Sequence, residues 1–338
     1  MGKIQNREIH LKTYPEGTPQ ESDFATVDAP LPEPQAGELL VRNQYFSLDP
    51  YMRARMTGQE TYVPPYTLDA PLDGPCVGYV EMSRSEHIKE GEYVAGGKGW
   101  REAFVTSPEQ VERIQPAEGV PLQAFLGILG TTGFTAYTGL FHIGQLTGEE
   151  TVFVSAGAGA VGSAACQIAR LKGCRVAAST SSDEKARWLR EDAGVNAAIN
   201  YNNEQRLVDA LNRECPEGVD LYFDNVGGRT LEAAIQNMNT YGRLVLCGMI
   251  SQYNARRPPR APANLMLAIV KRLRMQGFIV HDHMDLHPQF SAEMNSWISQ
   301  NQITWQETVV EGIEQAPAAF IRLFTGEKTG KMLVRIAS

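Results

Sequence analysis

The sequence predicts an α/β fold, a doubly wound parallel sheet with a second, antiparallel β part, on three observations. The first is a glycine-rich turn, VSAGAGAVGS at residues 154–163, placed between an apolar strand pattern and a helical one. The second is an alternation that fills residues 126–300: TVFVSA, VGSAACQIARLKG, CRVAAST, DEKARWLREDAG, NAAIN, NEQRLVDALNREC, VDLYFDNV, RTLEAAIQNM and GRLVLCGM. Apolar strands that alternate with helices of about 10 to 15 residues predict right-handed βαβ units, hence a parallel sheet covered on both faces. The third is a mosaic over residues 1–125 of short apolar runs broken by Pro and Gly, among them ELLVRNQYFSL, CVGYVEMS and EYVAGGKGWREAFV. Runs of that length, rich in Val, Tyr and Phe, predict an irregular antiparallel β domain.

The last stretch returns to strand-like runs, WQETVVEG and GKMLVRIA, around one helical segment, APAAFIRLFTG. The parallel sheet is complete without them, so they are expected to rejoin the amino-terminal part. The expected organisation is therefore discontinuous, with residues 1–125 completed by 301–338 and a nucleotide-binding domain at 126–300.

Composition narrows the function classes. The 338 residues carry a formal net charge of -8 with 43% hydrophobic and 21% charged residues, an ordinary folded composition without low-complexity tracts. An acidic chain lacks the concentrated basic face that nucleic acid or an anionic membrane surface needs. Its basic groups Arg256, Arg257 and Arg260 lie in a proline-rich loop, and Lys271, Arg272 and Arg274 near a helix end. The start, MGKIQNREIHLK, has charges where a secretion signal has an apolar core, and Asn6 stands where a myristoylation motif has Ser or Thr. No window of about 18 apolar residues is present. Five cysteines, Cys76, Cys166, Cys174, Cys215 and Cys247, are widely spaced without a C-x-x-C pair, which argues against a zinc lobe or disulfide scaffold. A cytoplasmic location is expected.

Gly157, Gly159 and Gly162 fit G-x-G-x-x-G between strand and helix. In that context Gly157 permits the tight turn, Gly159 leaves room for a pyrophosphate, and Gly162 lets helix and strand pack closely. The anion would sit on the free amides of the helix start. The next strand decides between dinucleotides. Readers of NAD carry an acid about 20 residues beyond the first glycine, for the ribose hydroxyls. Here CRVAAST ends at Thr180 and continues Ser181-Ser182-Asp183-Glu184-Lys185, small hydroxyls and a cation that favour the 2′-phosphate of NADPH. Ser182 or Asp183 is also expected as a helix cap.

Hydride transfer asks the protein for placement and for donors to developing charge, so hydroxyl residues near strand ends are the candidates. Tyr253 in GMISQYN falls just past the strand GRLVLCG, where open α/β sheets bind ligands. Tyr51 and Arg53 in LDPYMRARM follow a short strand of the first part, with packing of Tyr51 against a loop as an equal alternative. In HDHMDLH, His281, His283 and His287 have spacings compatible with one ion, but the stretch has the polarity of an exposed loop, and no metal is expected. No nucleophile elbow is visible.

Taken together, SLDPYMR, LGTTGFTAYTGL, GAGAVGS, TSSDEK, INYNN, YFDNVGG, GRLVLCGMISQYN, QGFIV and GKMLVRI resemble the zinc-independent medium-chain dehydrogenase/reductases. Within them the chain is similar to the leukotriene B4 12-hydroxydehydrogenase/prostaglandin reductase family, near the bacterial curcumin reductases and plant 2-alkenal reductases. The resemblance implies a GroES-like β domain, completed by the carboxyl-terminal segment, around a Rossmann domain. It implies NADPH-dependent reduction of the carbon-carbon double bond of enals and enones, and a homodimer. It also implies site residues: Gly159, Ala160, Val161 and Gly162 at the pyrophosphate, Ser181, Lys185 and Tyr201 at the adenosine phosphate, and Asn225 along the cofactor. Cys247, Gly248, Ile250, Ser251 and Tyr253, with Phe278, Ile279 and Val280, are implied on the nicotinamide side. Two departures stand out: Thr131-Thr132 where the family often has Met-Pro, and Lys328 where its G-x-N-x-G-K motif has a cofactor-contacting asparagine. The stretch NQYFSLDPYMR offers Ser47 and no thiol where zinc-dependent relatives carry a ligand. The rival expectations are an NADPH quinone oxidoreductase and a cofactor-binding protein without turnover. Loops 57–72 and 251–264 are expected to set the substrate.

Overall fold

The computed structural model describes residues 4–336, so the expectation drawn from Met1 and Gly2 lies outside it. The chain divides into two compact units, one running to Leu126 and resuming at Glu307, the other spanning Gly127–Gln306. The carboxyl-terminal return falls six residues later than the expected start at 301.

In the first unit the strands are β1 (Arg7–Leu11), β2 (Phe24–Asp28), β3 (Leu39–Leu48), β4 (Cys76–Ser83), β5 (Tyr93–Gly96), β6 (Ala103–Thr106) and β7 (Val111–Ile114). A one-turn helix, α1 (Met52–Arg55), follows β3. The second unit holds α2 (Thr131–Thr138), β8 (Thr151–Val154), α3 (Ala160–Leu171), β9 (Arg175–Thr180), α4 (Asp183–Glu191), β10 (Ala197–Asn200), α5 (Leu207–Glu214), β11 (Val219–Asp224), α6 (Gly228–Asn237), β12 (Met238–Leu246), α7 (Leu267–Val270), β13 (Arg274–Gly277) and α8 (His287–Ser299). The chain then returns with β14 (Glu307–Glu311), α9 (Ala316–Arg322) and β15 (Lys331–Arg335).

In the first unit β15 lies antiparallel to β3 and parallel to β14, and the sheet runs β14-β15-β3-β4-β5-β7 with β6 also on β3. The carboxyl-terminal segment thus completes this unit, as a GroES-like fold requires. Helix α9 contributes to the same core: Phe320 meets Trp100 edge-on at 5.8 Å, and Trp100 also contacts Phe24 and Phe46. A buried ion pair between Lys331 of β15 and Asp49, just past β3, joins the two segments.

The second unit is a parallel sheet in the order β10-β9-β8-β11-β12-β13. This is the doubly wound order, with the direction of winding reversing between β8 and β11. Its central strands have both faces covered, and β8 reads TVFV with every residue buried. Helix α3 turns Ala164, Ala165, Cys166 and Ala169 inward, small side chains that let it lie close on the sheet. One boundary differs from expectation: β12 starts at Met238, four residues before the expected GRLVLCGM. Its first part is irregular, with Tyr241 in the left-handed region at φ +66.

Candidate functional site

The glycine turn after β8 is built by close approaches. A Cβ at Gly162 would fall 2.2 Å from the Ala156 carbonyl oxygen, and one at Gly157 would fall 2.6 Å from the Ala178 Cβ on β9. Gly162 thus lets the helix start sit on the turn, closing against the Ala156 carbonyl rather than against a strand. The left-handed torsion is not carried by Gly157, the residue expected to supply the turn's backbone freedom. It belongs to Ala156, at φ +50, and Gly157 is required by the neighbouring strand. Gly159 is the N-cap of α3 and provides no side chain to cap it. The first amides of the helix, Ala160, Val161 and Gly162, have no intrahelical acceptor by helix geometry, the arrangement that suits a helix start to an anion.

At the tip of β9, Ser182 caps α4, its hydroxyl accepting the Lys185 amide at 3.3 Å. The Lys185 side chain runs back so that Nζ donates to Ser181 Oγ at 3.2 Å. Burial lowers the pKa of this ammonium. Asp183 is engaged elsewhere, accepting from Asn200 and Asn203, both at 2.8 Å, while the Glu184 carboxylate partly opposes the effect of burial on the lysine. Tyr201 lies exposed in the turn after β10, and Asn202 donates to the Ser181 carbonyl at 2.7 Å. A lysine ammonium held among serine hydroxyls at this strand tip has the chemistry to meet a ribose 2′-phosphate.

At the switch point the ends of β8 and β11 are cross-linked. Asn225 donates through Nδ2 to the Ser155 carbonyl at 2.8 Å and through its amide to Ser155 Oγ at 2.9 Å. Ser155 and Asp224 were not singled out in the sequence. The only signal for them was position, a hydroxyl and an acid at the ends of the two central strands.

Past β12 and β13 lies a cavity of about 630 Å³ lined by Cys247, Gly248, Met249, Tyr253, Phe278 and Ile279, with Gln252 and Asp282 among its polar groups. Of the residues expected on this side, Ile250, Ser251 and Val280 adjoin the lining in sequence, and Val280 is buried. The Tyr253 hydroxyl accepts the Met249 amide at 3.2 Å. Burial raises the phenol pKa against the opposing pull of that amide, and the Cys247 thiol beside it is pushed up to about 12 by burial and by the Asp224 carboxylate.

Tyr51, Arg53 and Lys328 belong to the first unit. Tyr51 opens α1 and is half-buried against the core, its pKa raised by burial and then by Asp49. Arg53 was expected to face substrate, but its guanidinium is buried and donates to the carbonyls of Pro15 and Gly17, each at 2.9 Å from Nη2. It ties down a loop. Lys328 lies in the irregular segment before β15. His281 and His283 sit in a short helical turn and His287 opens α8; among the described residues no three His, Cys, Asp or Glu side chains converge as a metal site.

Comparison with known proteins agrees with this geometry. Residues 7–114 match the family described as N-terminal domain of oxidoreductase, and residues 160–299 match the zinc-binding dehydrogenase family. An NADP-dependent 2-alkenal reductase of Nicotiana tabacum is 39% identical over 99% of this chain and 98% of its own. An NADPH-dependent curcumin reductase of Escherichia coli K12 is 35% identical over 99% of this chain and 98% of its own. The crystal structure of CurA from Vibrio vulnificus in complex with NADPH superposes with a TM-score of 0.93 at 37% identity, covering 98% of this chain and 99% of that one. With its two-unit architecture, its glycine cradle and these relatives, the chain belongs to the zinc-independent medium-chain dehydrogenase/reductase family.

Proposed function

We propose that the chain reduces the carbon-carbon double bond of α,β-unsaturated aldehydes and ketones with NADPH. The relatives named for alkenal and curcumin reduction support the reaction class, and the NADPH held by the Vibrio protein supports the cofactor. The residues fit that cofactor: the uncapped start of α3 takes the pyrophosphate, Lys185 with Ser181 takes the 2′-phosphate, and the cavity beside Cys247 and Phe278 takes the nicotinamide. When bound, NADPH supplies the hydride.

The observation that carries the chain's own part is the Tyr253 phenol. It lines the cavity and accepts an amide proton from Met249, so its own proton is not used in that bond. Its raised pKa keeps it protonated at neutral pH, the state a donor needs. As the substrate β-carbon is reduced, charge develops on the carbonyl oxygen. Tyr253 hydrogen-bonds that oxygen and, directly or through water, supplies the proton that completes the saturated product. Tyr51 is a second candidate substrate contact, and Arg53 is left to its structural tie.

The test is a panel of 2-alkenals, enones and curcumin-like dienones with NADPH, following cofactor absorbance and product mass. The expected result is stoichiometric NADPH consumption with a product two mass units heavier than the substrate. Turnover of quinones alone would favour a quinone oxidoreductase, and binding without consumption would make the chain a cofactor-binding protein.

A homodimer and a cytoplasmic location complete the proposal. In the second unit β13 is an edge strand, and the segment before it exposes Met266 at 71% and Ile269 at 78%, an apolar patch a second copy would cover. The five unpaired cysteines suit a reducing compartment. Among the described residues no helix is long and apolar enough to cross a membrane.

A further inference from the structure

The Asp224 carboxylate, at the end of β11, is 0% exposed and unevenly loaded. Its Oδ1 accepts the amides of Val226 at 2.9 Å and Gly227 at 2.8 Å, together with the Tyr222 hydroxyl and Ser155 Oγ. Its Oδ2 is buried without a hydrogen-bond partner. The backbone carbonyl of the same residue accepts the amides of Cys247 at 2.9 Å and Gly248 at 3.0 Å. One residue therefore holds two amides of each of two separate turns.

Those turns also clasp each other. The Ile250 amide donates to the Asn225 carbonyl at 3.3 Å, and Ser251 donates to the Val226 carbonyl through its amide at 3.2 Å and its hydroxyl at 2.6 Å. The fit leaves no room for side chains. A Cβ at Gly227, where φ is +71, would come 2.9 Å from the Met249 side chain, and one at Gly228, where φ is +54, would come 3.1 Å from Ser251 Oγ. Met249, Cys247 and Gly248 line the cavity, and Met249 orients Tyr253.

We propose that Asp224 is a positioning residue for the nicotinamide half of the cofactor site, acting through the turns at 225–228 and 247–251 without touching the cofactor. Oδ1 is the working atom, because it gathers the four donors, and Oδ2 is buried without a contact. Burial raises the carboxyl pKa while the donors pull it down, the balance of an acceptor kept for geometry. The adenosine end, with Lys185, Ser181 and Asn202, shares none of these hydrogen bonds. The two halves of one cofactor should then respond differently to the same substitution.

This inference rests on NADPH binding and needs no enone, so its failure is distinguishable from failure of the proposed reaction. Asp224→Ala, Asp224→Asn and Tyr222→Phe are titrated calorimetrically with NADPH and with adenosine 2′,5′-bisphosphate, which occupies the adenosine end alone. Asp224→Ala should weaken NADPH by about 10- to 100-fold, the loss of several hydrogen bonds to a charged group, and the bisphosphate by less than about 3-fold. Asp224→Asn keeps an oxygen at Oδ1 and should recover most of the NADPH affinity. Tyr222→Phe removes one donor and should lose NADPH affinity by a smaller factor, again sparing the bisphosphate, which keeps the test open if Asp224→Ala does not fold. Equal weakening of both ligands, or no selective loss of NADPH in any variant, would overturn the assignment, as would an Asn variant no better than Ala.

Discussion

Lys185→Ala separates the two nicotinamide cofactors, and the size of the effect follows from the lysine's surroundings. The side chain is 8% exposed, with its ammonium on Ser181 Oγ at the tip of β9. A charge-assisted contact from such a group to a phosphate contributes about 1.5–3 kcal/mol, or roughly 10- to 150-fold in affinity. NADH has no 2′-phosphate to lose. Fluorescence titration of the variant should therefore show NADPH binding weaker by about 10- to 150-fold and NADH changed by less than about 3-fold. A pH series sharpens the assay. Burial lowers the lysine pKa, so the cation that binds phosphate is lost at a lower pH than for an exposed lysine. NADPH affinity of the parent chain should fall as pH rises through the alkaline range, NADH affinity should stay level over it, and the variant should lack the difference. Equal losses for both cofactors at neutral pH would refute the assignment of Lys185 and Ser181 to the 2′-phosphate.

Two other substitutions probe the remaining parts of the site. Tyr253→Phe removes the phenol that accepts the Met249 amide, and turnover of a good enone should fall by about 10²- to 10³-fold with NADPH binding little changed; full retained activity in a stopped-flow assay would end its role as donor. Gly162→Ala places a methyl group 2.2 Å from the Ala156 carbonyl, which the backbone relieves only by moving the anion cradle. Overpacking of this kind costs about 1–3 kcal/mol, so both melting temperature and NADPH affinity should drop.

The layout of the fold is legible in the sequence because alternating strands and helices bury both faces of each central strand, as TVFV at β8 shows. The early start of β12 was hidden, since residues 238–241 carry no alternation and include a left-handed Tyr241. At the site, glycine spacing and the TSSDEK tip point to Gly157–Gly162 and Lys185, where the structure has a helix start without a side-chain cap and a lysine ammonium on Ser181. Spacing does not reveal which residue takes the strained torsion, and this fell to Ala156. Arg53 misled because a charge next to a turn reads as presented, whereas here backbone carbonyls bury it. Asp224 was missed for a related reason: an acid ending a strand resembles an ordinary solvated turn residue, and only the three-dimensional turns bring four donors to one oxygen.

The seating of β15 against β3 carries a consequence for how the chain is made. Strand β3 ends at Leu48, whereas its antiparallel partner begins at Lys331, with the whole second unit encoded between them. At about 5–20 residues per second a ribosome needs on the order of tens of seconds to cover that interval. Throughout it one edge of β3 is left open along Met332's eventual partner Leu48 and its neighbours Ser47 and Phe46, whereas the contiguous second unit has its last strand once residue 277 is made, before β15 emerges. Folding during synthesis should accordingly finish the nucleotide-binding half first. Any truncation ahead of Lys331 would leave the open segment of β3 at Tyr45–Leu48 seeking a substitute partner, and insoluble protein is the expected yield.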